Sequence, residues 1–215
     1  MSPVDRSEAL VASTGPTRGW GLLEEQLARL RHRRAMRLIP PAAKTDRFLD
    51  IGCGHEPLFL LGSYASQRVG LDQPATLGDP SRYRSRGIEL VPWDVTRDAP
   101  LPFMDDSFDV VTLLAVLEHL PTGRLASILG DIARILAPGG TLILTTPAWW
   151  TPPLLSLLAK LRLLSRIEIG EHQATYRPEV VTSILIRAGF PPQGVTSGHF
   201  EFRMNSWFRA TKLSR

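Results

Sequence analysis

The sequence predicts an α/β fold: a doubly wound, mostly parallel sheet that finishes in an antiparallel strand. Three observations carry this prediction. Short apolar runs alternate with helical patterns from Arg47 to Pro147, the rhythm of βαβ units. The first run, RFLDI, leads straight into GCG, so a strand meets a tight turn at its carboxyl end. At the C-terminal end, FEFRMNSWFRATK alternates Phe200, Phe202, Met204, Ser206, Phe208 and Ala210 with more polar positions, the period of a half-buried strand.

Taken in order, MSPVDRSEALVASTGP has no apolar h-region and carries Asp5 and Glu8. Residues 1–18 therefore read as a disordered lead-in and not as a signal peptide. From Trp20 to Ile39, Leu23, Leu27 and Leu30 share one helical face, and Pro40-Pro41 stops that helix. RFLDI (47–51), RVGLD (68–72) and IELVPWD (88–94) are the first three strands. SFDVVTLLAVL (107–117) starts with the β-branched run of a buried central strand. Leu125, Ile128, Leu129, Ile132, Ile135 and Leu136 repeat at helical spacing, and PGG at 138–140 ends the helix. TLILTTP (141–147) is another buried strand, closed by its proline. Residues 148–176 break the rhythm and read as an insertion. Val180, Val181, Ile184, Leu185 and Ala188 then form a last helix, capped by Gly189. Residues 19–215 constitute one domain.

The composition limits the function classes. Cys53 is the single cysteine, so no internal disulfide framework exists. No stretch reaches the roughly 18 uninterrupted apolar residues of a membrane span, and a cytoplasmic protein is expected. The net charge of +4 comes from arginine, since Lys44, Lys160 and Lys212 are the only lysines among 25 basic residues. Arg29, Arg31, Arg33, Arg34 and Arg37 crowd into one helix. They read either as a surface for an anionic partner or as a solvated amphipathic face. The lack of interleaved aromatics for base stacking favours the latter.

Ligands of doubly wound sheets bind at the carboxyl ends of the strands, and three acids lie there: Asp50, Asp72 and Asp94. Asp72 follows Asp50 at about the spacing at which an acid accepts from ribose hydroxyls. Gly52 and Gly54 permit a sharp turn and a close approach to a ligand. A dinucleotide loop would place a third glycine where His55-Glu56-Pro57 stands, and a carboxylate there would repel a pyrophosphate. A ligand with a ribose, a positive charge and no phosphate suits the turn better.

The order of these motifs is similar to that of class I S-adenosylmethionine-dependent methyltransferases, closest to the type-11 group. LDIGCG resembles the family's first motif and VGLD its second. WDVTRDAPLPFMDDSFDVVTLLAVLEHL resembles the adenine-binding acid followed by the fourth strand. ILAPGGTLILTTP resembles the fifth-strand motif, and RAGF the end of the last helix. The resemblance implies a seven-stranded Rossmann-like sheet with a small helical cap, and S-adenosylmethionine as cofactor. It implies that Gly52, Cys53 and Gly54 line the methionine portion while Asp50 orients the loop or the ligand's amine. It implies that Asp72 holds the ribose, with Gln73 against the adenine. Asp94 and the Val95 amide would read the adenine edge, and the Leu114 backbone would lie beside the methionine end.

Methyl transfer from a sulfonium needs positioning above all and no metal. His119, in LEHL, and His172, in GEHQATY, are the candidate bases, or else structural hydrogen-bonding residues. The 148–176 segment, with Trp149, Trp150, a leucine-rich run and Lys160, Arg162 and Arg166, reads as a cap that chooses the acceptor. It reads equally as a helix packed on the core, and its apolar face could also rest on a membrane surface. LAVLEHL stands where nucleic-acid amino-methylating enzymes carry an Asn/Asp-Pro-Pro-aromatic motif. The expected reaction is therefore methylation, at oxygen, of a small-molecule, glycan or lipid-linked acceptor. The alternative is a non-catalytic S-adenosylmethionine-binding accessory protein.

Overall fold

The computed structural model describes residues 24–40, 46–151 and 176–214. Seven strands form one sheet in the order β3-β2-β1-β4-β5-β7-β6. They are β1 (Arg47–Ile51), β2 (Gln67–Asp72), β3 (Ile88–Pro92), β4 (Phe108–Leu114), β5 (Leu136–Pro147), β6 (Val195–Phe200) and β7 (Asn205–Thr211). The first five run parallel, and β7 is antiparallel to both β5 and β6. The expected doubly wound sheet with an antiparallel C-terminal strand is what the chain forms.

Among the described residues, five α-helices accompany the sheet: α1 (Glu24–Leu38), α2 (Leu58–Leu61), α3 (Pro80–Arg84), α4 (Leu125–Ile135) and α5 (Pro178–Arg187). Successive strand residues point to opposite faces, so each central strand feeds two cores. Leu49, Val111, Leu142 and Leu144 pack with Ile128, Ile132, Ile184 and Leu185 of α4 and α5. Phe48, Val110 and Ile143 pack on the other side with Ala35 and Leu38 of α1 and with Phe59 and Leu60 of α2. Fully burying each of the larger of these side chains contributes about 1.5–3 kcal/mol, so both faces hold the sheet.

Three expectations change. The inward face of α1 is Ala28, Ala35 and Leu38, while Leu30 is 45% exposed. Small alanines bring the helix close to the sheet, which a leucine stripe would prevent. The glycines after α4 do not end that helix, which stops at Ile135. They fall inside β5, whose register with β4 jumps from Phe108↔Leu136 to Val110↔Thr141. Residues 137–140 thus form a bulge in which Gly139 takes φ +77°. Residues 200–211 are not one strand either. Glu201, Phe202 and Arg203 all have positive φ and make a hairpin tip, with β6 before it and β7 after it. Strand β6 (VTSGHF) has no fully buried residue. An edge strand with one neighbour needs no apolar alternation, and the sequence pattern did not reveal it.

Candidate active site

Strands β2 and β3 follow β1 in one direction across the sheet, and β4 and β5 extend in the other. The crevice between the ends of β1 and β4 is thus the switch point where such sheets take ligands. The glycine loop sits in it. Gly52 is solvent-exposed, adopts φ +79° and donates its N–H to the Leu71 carbonyl at 2.7 Å. A Cβ at Gly52 would fall 2.3 Å from Val116 Cγ2, so the turn after β4 rests directly on the loop. Cys53 does not face this crevice. Its sulfur packs toward Gly70 in the core on the α1 side, and burial pushes the thiol pKa far up. Only the Cys53 backbone is available to a ligand there.

Asp72 closes the loop from below. Its Oδ2 accepts from the Gly54 N–H at 2.8 Å, and its Oδ1 accepts from the Gln73 N–H at 2.7 Å and the Thr76 hydroxyl at 2.5 Å. Three of roughly four lone-pair positions are in use, which leaves room for one more donor. Asp50 lies one residue short of the end of β1, pairs across to Thr112 of β4 and accepts its hydroxyl at 2.5 Å. Burial raises the Asp50 carboxyl to about 7; the Thr112 hydroxyl opposes that shift and the nearby Asp72 adds to it. A cationic group arriving at this crevice would find a carboxyl that gains from being charged.

Glu56, at the position of the absent third glycine, points toward Arg82 of α3, with 3.7 Å between the charged groups. The loop is backed there by Gly78, where a Cβ would meet the His55 carbonyl at 2.1 Å. Helix α2 after the loop is a single turn of four residues. Such a stub has little macrodipole to offer a pyrophosphate, a stronger reason against a dinucleotide than the charge of Glu56.

Asp94 lies two residues beyond β3 and is half-buried. Its Oδ1 accepts from the Thr96 N–H at 2.9 Å and the Thr96 hydroxyl at 2.6 Å, and its Oδ2 lies 3.5 Å from Arg97. The Thr96 hydroxyl is the main cause of the lowered Asp94 pKa, so the side chain is a charged turn cap. Val95 next to it packs against the core on the α4 side.

Leu114 ends β4, half-buried, and Ala115 turns the chain with φ +59°. The Ala115 N–H donates to the Thr145 carbonyl at 3.0 Å, and Thr145 Oγ1 lies 3.1 Å from the same nitrogen. A 3-10 turn, Leu117–His119, follows and carries half-buried His119 and fully buried Glu118. His119 therefore comes to the crevice side of the sheet, whereas His172 and most of the 148–176 segment lie outside the described residues. Thr76, Thr112, Val116 and Glu118 complete the site. Thr76 holds Asp72 from four residues away, while Thr112 and Val116 act on Asp50 and Gly52 from the neighbouring strand and its turn, contacts that no local pattern marks. Glu118 stands beside His119 in LEHL and is distinguished only by its burial.

Residues 20–192 match the family model described as a methyltransferase domain. The 27-O-demethylrifamycin SV methyltransferase of Amycolatopsis mediterranei is 34% identical over 127 residues, covering 57% of this chain and 45% of that protein. A protein of Bos taurus named "Probable tRNA methyltransferase 9B" is 34% identical over 96 residues, 44% of this chain and 20% of its own length. The chain thus spans less than half the length of these relatives. Among solved structures, an S-adenosylmethionine-dependent methyltransferase from Thermotoga maritima superposes with a TM-score of 0.63 at 17% identity, covering 87% of this chain and 90% of that one. With the match extending over most of its length, and with this fold, the chain belongs to the S-adenosylmethionine-dependent methyltransferases.

Proposed function

We propose that this protein methylates a hydroxyl oxygen of a small-molecule, glycan or lipid-linked acceptor. The observation that carries this reading is the meeting of Asp50, Asp72 and an open glycine loop at the switch point of the sheet, against the turn that follows β4. The residues fit S-adenosylmethionine: Gly52, exposed at the crevice, offers bare backbone to a ligand, and Asp72 keeps one lone-pair position for a ribose hydroxyl. The cofactor supplies a methyl group already activated by its sulfonium charge. Asp72 would hold the ribose with Gln73 beside the adenine, and the backbones of Gly52, Gly54 and Leu114 would line the amino-acid end. Asp94 accepts from Thr96 through Oδ1, and its Oδ2, which has only an ion pair at 3.5 Å to the exposed Arg97, would accept from the adenine amine beside the Val95 amide.

Oxygen is assigned because the rifamycin relative is named for an O-demethylated substrate. The 148–176 segment is assigned to choice of acceptor, and the protein to the cytoplasm. Calorimetric titration with S-adenosylmethionine, S-adenosylhomocysteine and NAD tests the cofactor assignment. Micromolar binding of the first two and none of NAD supports it, whereas NAD binding overturns it. A turnover panel of hydroxylated aromatics, glycosides and bulk tRNA then tests the acceptor. Methylation of tRNA alone would replace the small-molecule reading, and adenosyl-ligand binding with no turnover would favour an accessory protein.

A further inference from the structure

The turn after β3 is held by a residue far along the chain. Thr96 donates its N–H and its hydroxyl to Asp94 Oδ1, at 2.9 and 2.6 Å, so the seat of Thr96 sets the direction of the carboxylate. Thr96 is fixed in turn by Arg124, the N-cap of α4 and 28 positions away, which donates through Nη1 to the Thr96 carbonyl. The Thr96 hydroxyl chiefly, with the Thr96 N–H, Arg97 and Arg124 adding to it, lowers the Asp94 pKa, so the same guanidinium helps keep that carboxylate ionised. Behind the turn, residues 95–101 and α4 flank an open cavity of about 360 Å³, lined by Val95, Leu101, Arg124, Ile128 and Asp131 among others. Packing supports the turn little on that side, which leaves its position to hydrogen bonds. The far end of the segment is tied to α4 separately. Asp131 accepts from the Leu101 N–H, and Arg134 donates to the carbonyls of Leu101 at 3.1 Å and Phe103 at 2.8 Å.

We propose that Arg124 is a positioning residue of the cofactor site: through Thr96 it aims Asp94 Oδ2 and the Val95 N–H at the adenine edge and so sets the preference for adenine. It touches no ligand itself. The inference rests on the reading of Asp94 and Val95 given above. An acceptor beside a donor suits adenine, whose amine donates and whose neighbouring ring nitrogen accepts. Hypoxanthine reverses both, with a carbonyl in place of the amine and a hydrogen on the ring nitrogen. A turn held in register therefore rejects an inosyl ligand, because the polar groups of both partners are left unpaired. A turn released from Arg124 loses affinity for the adenosyl ligand and little for the inosyl one.

The test titrates the full chain calorimetrically with S-adenosylhomocysteine and S-inosylhomocysteine. The wild type is expected to bind the adenosyl ligand at least tenfold more tightly. Arg124→Met is expected to weaken the adenosyl ligand about tenfold and the inosyl ligand less than threefold, so the preference collapses. Arg124→Lys, which keeps a donor, is expected to restore the preference to within about threefold of the wild type. Arg134→Met, which frees the other end of the segment, is expected to lower the melting temperature and leave the preference within twofold. Unchanged binding in Arg124→Met, or equal weakening of both ligands, would overturn the proposal. So would an Arg124→Lys no better than Arg124→Met, or an equal loss of preference in Arg134→Met. Arg124→Gln, a shorter polar side chain, is judged by the same criteria if Arg124→Met does not fold. A wild type that binds both ligands equally would instead overturn the adenine-edge reading, and one that binds neither the cofactor reading; the inference falls with either.

Discussion

Asp50 and His32 give the molecule two opposed responses to pH. Burial lowers the His32 imidazole to about 4, with Arg31 adding to the effect, so its contribution is lost as pH falls from about 6.5 to about 4. Asp50 is raised to about 7, so the unfolded chain releases its proton first and stability falls as pH rises from about 4 to about 7. At 1.36 kcal/mol per pKa unit, the Asp50 effect reaches about 4 kcal/mol at most. The two slopes nearly cancel in the wild type below about pH 6.5, so the variant is the informative sample. Asp50→Asn should raise the melting temperature of the ligand-free protein at pH 8 and not at pH 4; an equal shift at both would remove the carboxyl from this role. Asp72 has two duties, and they separate by substitution. Asp72→Ala should weaken cofactor binding by about 1–3 kcal/mol and also destabilise the loop, because Gly54 loses its acceptor. Thr76→Val, which removes the hydroxyl contacts to Asp72 and to the Gln73 carbonyl but leaves the Gly54 one, should lower stability and spare cofactor affinity in calorimetry.

Between elements, the decisive contacts are the glycine loop against the post-β4 turn and α1 against the sheet. Gly52→Ala imposes both a left-handed backbone and a 2.3 Å clash with Val116 Cγ2. It should reduce S-adenosylhomocysteine affinity more than tenfold. Val116→Ala removes the clashing methyl, so the double variant should recover part of that loss but not all, since the strain at φ +79° remains. Full recovery would mean that the backbone conformation is immaterial. On α1, Ala35 is completely buried and Leu30 is not. Ala35→Leu should cost about 1–3 kcal/mol in denaturant unfolding through overpacking, while Leu30→Lys should stay within about 0.5 kcal/mol. The same helix shows what became of two of its arginines: Arg34 lies over the Trp207 ring at 4.9 Å, and Arg31 donates through Nε to the Leu27 carbonyl at 3.4 Å.

At the scale of the molecule, cofactor binding at a crevice between the two halves of the sheet should stabilise the whole fold. S-adenosylhomocysteine at a hundred times its Kd should add about 2.7 kcal/mol, which for a chain of this length is a rise in melting temperature of roughly 5–11 °C. A rise below two degrees at confirmed saturation would show that the site opens without unfolding the sheet. The sequence by itself determined the alternation of strands and helices, the parallel core and the acids at the ends of β1, β2 and β3. Those are local properties, written in apolar runs, β-branched content and a glycine pair directly after a strand. It did not determine the edge strand β6, the bulge at 137–140 or the face that α1 turns inward, because partners remote in the chain decide each of them. The same holds within the site. Gly52, Asp72 and Asp94 could be named from spacing, but only the tertiary structure shows Val116 seated on Gly52, Cys53 turned into the core and Asp94 capping its own turn through Thr96. Only it shows Glu118 buried with an unpartnered oxygen, since burial is a property of the packed sheet and not of the residues beside it in the chain.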